Sequence, residues 1–153
     1  MRALLVVDVQ EDVMRSRETE GLIEACNTKI AEYLPEQVIY IANRKPWAKR
    51  PEKEPLAQDL AVVSENLFYK KQPDAFSNQQ IIEYLLEKEV DEVEVIGLDG
   101  NWCIKYTALG ALRNGLKVSI DTSAIASKNP RSFIKKTVPL LKQAGVKVIG
   151  ADC

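Results

Sequence analysis

Within ten residues, one segment carries a strand, a turn and the start of a helix: Val95-Ile96-Gly97-Leu98-Asp99-Gly100-Asn101-Trp102-Cys103-Ile104. Its apolar run predicts a buried strand, its glycines predict a turn, and helical spacing begins near Trp102. The thiol of Cys103 is therefore expected where a strand leads into a helix. N–H groups at a helix end can stabilise a thiolate there, which makes Cys103 the candidate nucleophile.

Short β-rich runs recur along the chain, and most of them are separated by stretches with helical spacing. The runs are Arg2–Val7, Gln37–Ala42, Asn66–Tyr69, Glu92–Ile96, Lys117–Ile120 and Val146–Gly150. This alternation predicts an α/β fold of three layers, with a mostly parallel, doubly wound, Rossmann-like sheet covered by helices on both faces. We expect six strands in the order 3-2-1-4-5-6.

Four helices are expected between these strands. They cover an apolar stripe from Leu22 to Leu34, a stretch after Asn78, a stretch from about Trp102 to Asn114 with a stop at Gly115, and a stretch from Asn129 to Gln143. Pro139 lies inside the last helix and predicts a kink or two shorter pieces. Residues 43–60 are rich in proline and charge, which predicts a loop or lid.

Length and composition indicate the class of protein. The chain has 153 residues and a formal net charge of -1, which predicts a single domain, residues 1–153, with a small-molecule partner rather than nucleic acid. The apolar run Ala3 to Val7 is too short for a signal sequence or a membrane span, so we expect a cytoplasmic protein. Three cysteines, an odd number, suggest free thiols rather than a disulfide framework.

The chain contains no histidine. This absence excludes Cys-His and Ser-His-Asp catalysis and every metal site that needs an imidazole ligand. A catalytic base must therefore be a carboxylate or a lysine.

Sheet topology predicts which residues meet. Ligands of open α/β sheets bind beyond the carboxyl ends of the strands, where the strand order reverses. Asp8 follows the first strand, Lys70 ends the third and Cys103 follows the fourth, so all three are expected at one edge. Each also has an ordinary structural interpretation: a turn-capping acid, a solvated lysine and a buried, inert thiol.

Three motifs resemble one known family. Leu4-Leu5-Val6-Val7-Asp8-Val9-Gln10 is similar to the first signature of the isochorismatase-like cysteine hydrolases, and Lys70 with Asp74-Ala75-Phe76 is similar to the second. Gly97 through Cys103, with Thr107-Ala108, Ala111 and Gly115 behind it, is similar to the third. This superfamily includes nicotinamidases, N-carbamoylsarcosine amidases and isochorismatases, and the resemblance spans nearly the whole chain.

The resemblance implies roles for these residues. Cys103 would be the nucleophile, Asp8 the base and Lys70 the cation of an Asp-Lys-Cys triad. A cis peptide would map to Leu98–Asp99, with the N–H groups of Asp99 and Cys103 as oxyanion donors. The expected substrate pocket takes in Gln10, Trp47, Phe76 and Trp102, although ordinary packing explains Phe76 and Trp102 equally well. Homodimers or larger homo-oligomers are common in such proteins.

The chain departs from the family pattern at three places. Asp99 stands where a small residue is usual, and its carboxylate could repel a developing oxyanion unless it points away. Asp74 also replaces a small residue, and we expect it to pair with Lys70 or Lys71. The loop in which nicotinamidases carry metal-binding histidines reads Asn43-Arg44-Lys45-Pro46-Trp47 here, which predicts a metal-free branch with no cofactor.

The resemblance favours a hydrolase of a small amide or ureido compound that forms a thioester acyl-enzyme. Two alternatives stay open. One is vinyl-ether hydrolysis of the isochorismatase type, in which the acid and the lysine matter more than the thiol. The other is a binding or scaffold protein that keeps the fold without the activity.

Overall fold

The structure, a computed structural model, describes residues 1–14, 19–44 and 56–150. Six strands form one sheet in the order β3-β2-β1-β4-β5-β6, and every neighbouring pair is parallel. The strands are β1 (Arg2–Val7), β2 (Val38–Asn43), β3 (Leu67–Lys70), β4 (Glu92–Leu98), β5 (Lys117–Ala126) and β6 (Lys147–Ile149). The predicted fold class and strand order are confirmed.

The helical segments alternate with the strands. The α-helices are α1 (Glu11–Met14), α2 (Leu22–Ile30), α3 (Gln79–Glu87), α4 (Lys105–Arg113), α5 (Pro130–Ser132) and α6 (Val138–Ala144). Short 3-10 turns cover Pro35–Gln37 and Ala75–Ser77, and wider π-helical turns cover Gly100–Ile104 and Phe133–Thr137. Among the residues described, no helix is long and apolar enough to cross a membrane.

Both faces of the sheet are buried, as a parallel sheet requires. Leu5 and Val7 of β1 contribute to one apolar cluster, which also contains residues of α3, α4 and α6. Leu4 and Val6 point the other way into a second cluster with residues of α2. Side chains alternate between faces with a period of two, so the continuous apolar run of β1 fills both clusters.

Strand β5 extends beyond the predicted Lys117–Ile120 and ends at Ala126. The polar residues after Ile120 interrupt the apolar pattern, yet the strand continues beside β4 after a register shift, with Gly97 opposite Ile125. Asp121 finds partners inside the fold: its carboxylate pairs with Lys29 at 2.9 Å and accepts a bond from the Ser123 N–H at 3.0 Å. Long-range pairing therefore overrides the local pattern here.

Two helix predictions change in detail. Helix α2 ends at Ile30, and Leu34 is exposed just before Pro35, because proline disfavours helical geometry in the residue before it. The predicted interruption near Pro139 is found: α5, a π-helical turn and α6 follow one another, and Pro139 lies in the first turn of α6. The helical run is continuous from 130 to 144, so this proline lies inside it, and the widened π-helical turn directly before Pro139 is the irregularity found there.

The predicted loop at 43–60 is only partly a loop. Asn43 belongs to β2, and Ala57 and Leu60 are buried in the second apolar cluster. The Ala57 N–H donates to the Val9 carbonyl at 2.8 Å, which holds this end of the segment against the sheet. Residues 45–55, with Trp47, lie outside the described residues.

Gly97 lets β4 approach β1 closely beside the end of β1. Its φ is +118°, and a Cβ on it would lie 2.1 Å from the carbonyl oxygen of Val7. Any side chain would therefore collide with the backbone that leads into Asp8. Gly115, which ends α4, has a φ of +79° but open space around the corresponding Cβ position.

Gly97→Ala is expected to lower the free energy of unfolding by about 3 kcal/mol or more, because backbone strain and a backbone clash combine. Gly115→Ala is the matched control and should cost only about 1–2 kcal/mol, the penalty of the left-handed conformation. Denaturant unfolding followed by circular dichroism measures both values. Equal losses in the two variants would contradict the close approach at Gly97.

Candidate active site

Asp8 ends the apolar run of β1 and is almost completely buried. Its φ is +54°, a left-handed conformation that aspartate tolerates better than most residues. The Asp8 N–H donates to the Ile41 carbonyl, and the Asp8 carbonyl accepts from the Gln10 N–H, both at 2.8 Å. The backbone therefore turns sharply at the sheet edge and holds the carboxylate there.

Lys70 is the last residue of β3 and is also buried. Its Nζ lies 3.0 Å from Oδ2 of Asp8 and 3.3 Å from Sγ of Cys103. The Lys70 carbonyl accepts from the Arg44 N–H at 2.8 Å, which continues the ladder between β2 and β3. The structure thus brings together the three residues that topology predicted at this edge.

Cys103 lies in the widened turn Gly100–Ile104, which continues directly into α4. The helical segment therefore begins before Trp102, and the thiol sits inside its first turn rather than ahead of it. The N–H groups of Trp102 and Ile104 both donate to the Asp99 carbonyl at 3.0 Å, which closes this turn. The side chain of Cys103 reaches the first apolar cluster and is 8% exposed.

The thiol of Cys103 is neutral at rest. Burial and then the negative charge of Asp8 raise its pKa, Lys70 lowers it only in part, and together they place the pKa at about 12. Lys70 favours the thiolate, as expected of a neighbouring cation, but burial and Asp8 outweigh it. The hydrogen bond between the thiol and Asp8 also favours the protonated sulfur. A carboxylate beside a neutral thiol is suited to remove its proton during attack.

Asp99 is buried, and its carboxylate is occupied by three hydrogen bonds. Oδ1 accepts from the Asn101 N–H and from the Ser127 hydroxyl, both at 2.9 Å, and Oδ2 accepts from the Lys128 N–H at 2.8 Å. The carboxylate caps the turn that carries Cys103 and ties it to the segment after β5. The peptide bond between Leu98 and Asp99 is cis, at the position that the resemblance implies.

From its position in the sequence, Asp74 was expected to pair with Lys70 or Lys71, and this prediction is wrong. Its Oδ2 lies 3.0 Å from Nη2 of Arg113, at the last turn of α4. Lys70 is instead held by Asp8. The sequence analysis did not identify Arg113 as the partner of Asp74. It also missed the Thr107 hydroxyl, which contacts the same loop after β3. The position of both residues on α4 was the available signal.

A cavity of about 300 Å³ opens beside the thiol. It is lined by Asp8, Val13, Asn43, Lys70, Lys71, Gln72, Pro73, Asp99, Trp102 and Cys103. Of the predicted pocket residues, Trp102 belongs to this lining and is half exposed. Gln10 instead binds the backbone of Asn43, since its Oε1 accepts the Asn43 N–H at 2.8 Å. Phe76 is buried in the first apolar cluster, and Trp47 lies outside the described residues.

Comparison with known proteins identifies relatives across the chain. The family model of the isochorismatase domain matches residues 2–153. The nicotinamidase of Escherichia coli K12 is 38% identical over 47 residues, which cover 31% of this chain and only 22% of that enzyme.

Solved structures share the fold at low sequence identity. The pyrazinamidase of Pyrococcus horikoshii, solved with zinc, has a TM-score of 0.74 at 22% identity, over 97% of this chain and 98% of that one. An isochorismatase-like hydrolase from Alkaliphilus metalliredigens has a TM-score of 0.78 at 21% identity, over 97% and 91%. The nicotinamidase of Bacillus subtilis has a TM-score of 0.78 at 17% identity, over 97% and 98%.

The Pyrococcus horikoshii structure was solved with zinc. This chain has no histidine, so a zinc site built on imidazole ligands cannot form in it. Within residues 1–14, 19–44 and 56–150, no group of three His, Cys, Asp or Glu side chains is placed to hold a metal.

Removing the charge of Asp8 should lower the pKa of Cys103, whereas removing that of Lys70 should raise it. In Asp8→Asn the thiolate loses a repelling charge and keeps Lys70, so its pKa should fall by about one unit or more. In Lys70→Met the pKa should rise further, so alkylation at a fixed alkaline pH should be slower. The pH dependence of alkylation at the Cys103 peptide, followed by mass spectrometry, measures both. A rise in Asp8→Asn would contradict this electrostatic arrangement.

Asp99→Ala is expected to lower the free energy of unfolding by about 2–4 kcal/mol, because three donors lose their acceptor in a buried place. Ser127→Ala removes one of those donors and should cost about 1 kcal/mol. Urea unfolding of the two variants and of the parent protein provides the comparison. An Asp99→Ala variant as stable as the parent would show that the carboxylate is not a structural cap.

Proposed function

The chain belongs to the isochorismatase domain family, and from this premise we propose that it is a cysteine hydrolase of a small amide or ureido compound. One observation carries the proposal: the buried Lys70 ammonium touches both the Asp8 carboxylate and the Cys103 thiol, at 3.0 and 3.3 Å. A nucleophile, a base and a cation within hydrogen-bond reach at a cavity are what covalent catalysis of acyl transfer needs.

In the first half of the proposed reaction, Asp8 removes the thiol proton as Cys103 attacks the substrate carbonyl. A C–S bond forms and the carbonyl oxygen becomes an oxyanion. Collapse of this intermediate breaks the C–N bond, and Asp8 returns the proton to the leaving amine. The products are a thioester on Cys103 and a free amine or ammonia.

In the second half, Asp8 removes a proton from water, and the resulting hydroxide attacks the thioester. The C–S bond breaks, the proton returns to the sulfur, and the acid product leaves. The neutral resting thiol supports this sequence, because the same carboxylate can accept and return one proton in each half.

The N–H groups of Asp99 and Cys103 are the proposed donors to the oxyanion. The three hydrogen bonds that the Asp99 carboxylate accepts support its compatibility with this role, since they direct its oxygens toward Asn101, Ser127 and Lys128. Asp99 would then contribute its N–H to the reaction and its carboxylate to the turn.

The cavity favours a small substrate. Its volume of about 300 Å³ is at the lower limit for small-molecule sites. The half-exposed ring of Trp102, which meets Tyr106 edge to face at 5.2 Å, offers a flat apolar surface beside the thiol. The polar groups of Asn43 and Gln72 line the same cavity and are suited to orient an amide.

A panel of small carboxamides, N-carbamoyl compounds and ureides should yield at least one substrate, detected by release of ammonia or amine. Cys103→Ala is expected to lower kcat/KM for that substrate by about a thousandfold or more, because the covalent route is lost. Mass spectrometry should show an acyl adduct on Cys103 during turnover. Cys26→Ala, the same change at a buried cysteine in the other apolar cluster, should keep the activity of the parent within about twofold.

Two results would contradict the proposal. Activity that survives Cys103→Ala but is lost in Asp8→Asn would indicate acid chemistry of the vinyl-ether type. Failure of the whole panel, together with equal alkylation rates at Cys103 and Cys26, would indicate a binding protein.

A further inference from the structure

We propose that Thr107 and Asp74 are positioning residues that hold Lys70 against Cys103, by fastening the loop after β3 to the helix behind the nucleophile. The inference rests on the proposed function, in which contact between Lys70 and Cys103 matters.

Lys70 is carried by β3, a strand that is weakly held in the sheet. In the part of the chain that the structure describes, strand β3 has four residues, forms the edge of the sheet and pairs only with β2. Its first three residues are only half buried. Short edge strands open more readily than central ones. The contact of 3.3 Å between Lys70 Nζ and Cys103 Sγ therefore needs a further constraint.

Thr107 provides the first link. Its fully buried hydroxyl accepts the Ala75 N–H at 3.0 Å and donates to the Pro73 carbonyl at 3.3 Å. One side chain of α4 thus binds two backbone groups of the loop that follows Lys70. Thr107 also lies four residues after Cys103, about one helical turn away. The loop and the nucleophile are consequently attached to the same short length of helix.

Asp74 provides the second link. Its Oδ1 accepts the Phe76 N–H at 2.8 Å, and its Oδ2 pairs with Arg113 at 3.0 Å. The carboxylate lies directly over Gly110, where a Cβ would come within 2.3 Å of Oδ1. Because Gly110 has no side chain, the Asp74 carboxylate fits against the helix at that position. Arg113 supplies the positive charge that pairs with it.

The three contact points on α4 are spaced three residues apart. Each therefore neighbours the next on the helix surface, and Thr107, Gly110 and Arg113 form one oblique row along α4. Arg113 is largely exposed, with 64% of its side chain accessible, so the ion pair itself adds little to stability. Its contribution is geometric: it fixes the loop along the helix axis. A loop that moved along α4 would carry Lys70 away from the sulfur.

The reactivity of Cys103 distinguishes positioning from mere support of the fold. Lys70 lowers the pKa of the thiol through close contact, so a displaced Lys70 leaves less thiolate at a given pH. Iodoacetamide labelling of the Cys103 peptide, followed by mass spectrometry at several alkaline pH values, reports this fraction without any substrate. Lys70→Met is the benchmark for complete loss of the contact.

The main comparison is between Thr107→Val and Thr107→Ser. Valine matches the shape of threonine but lacks the hydroxyl, whereas serine keeps it. We expect Thr107→Val to label about three- to tenfold more slowly at a given pH, in the direction of Lys70→Met, because the rate follows the thiolate fraction. Thr107→Ser should label like the parent protein. Identical labelling in Thr107→Val and the parent, with Lys70→Met slow, would overturn the inference.

Asp74→Ser and Arg113→Met test the second link, and both sites are more exposed than the fully buried Thr107. Each variant should slow labelling of Cys103 by about twofold or more. The double variant should label at the rate of the slower single variant, because both substitutions break the same contact. Arg131→Met, which removes an exposed cation on α5, is the matched control and should label at the parent rate. If Thr107→Val does not fold, unchanged labelling in Asp74→Ser and Arg113→Met overturns the inference.

Failure of this inference and failure of the proposed function give different results. Labelling needs no turnover, so it decides the positioning question even if no substrate is found. If Lys70→Met labels like the parent, Lys70 has no effect on the reactivity of Cys103, and the inference is overturned. The substrate panel then still decides whether the protein is a hydrolase. With a substrate in hand, Thr107→Val should lower kcat more than it raises KM.

Discussion

The ion pair between the Lys70 ammonium and the Asp8 carboxylate is the interaction on which the candidate site depends. Both side chains are almost completely buried, so each is stable only with the other in contact. The pair joins the ends of β1 and β3, which are separated in the sheet by β2. It therefore requires the sheet order, the left-handed turn at Asp8 and the close approach that Gly97 permits between β1 and β4.

Much of this arrangement could be predicted because local signals agreed with the fold. The apolar run of β1, the glycine-interrupted turn after β4 and the alternation of strands with helices predicted the parallel sheet and its order. That order placed Asp8, Lys70 and Cys103 at one edge. The extension of β5 could not be predicted, since Asp121 and Ser123 resemble turn residues until Lys29 and the register shift beside β4 supply their partners.

Three properties of the site depend on contacts that the sequence does not reveal. Asp74 was expected to pair with a neighbouring lysine, but its partner Arg113 lies 39 residues away on α4. The ammonium of Lys70 favours the thiolate form of Cys103, as expected of a neighbouring cation. Burial and Asp8 reverse that balance, and the size of each contribution depends on distances and accessibility in the folded chain. Asp99 is a third such case, because only the fold shows the donors of Asn101, Ser127 and Lys128 around its carboxylate.

A neutral thiol beside a buried ion pair also bears on the proposed chemistry. When the proton moves from sulfur to Asp8, the negative charge moves from the carboxylate to the sulfur. Lys70 lies 3.0 Å from one and 3.3 Å from the other, so its ammonium keeps an anionic partner before and after the transfer. The site therefore exposes no unpaired buried charge at either stage, which avoids the large penalty of such a charge. The proposed proton transfer would need Lys70 within reach of both atoms, and the proposed fastening of its loop to α4 would serve that need.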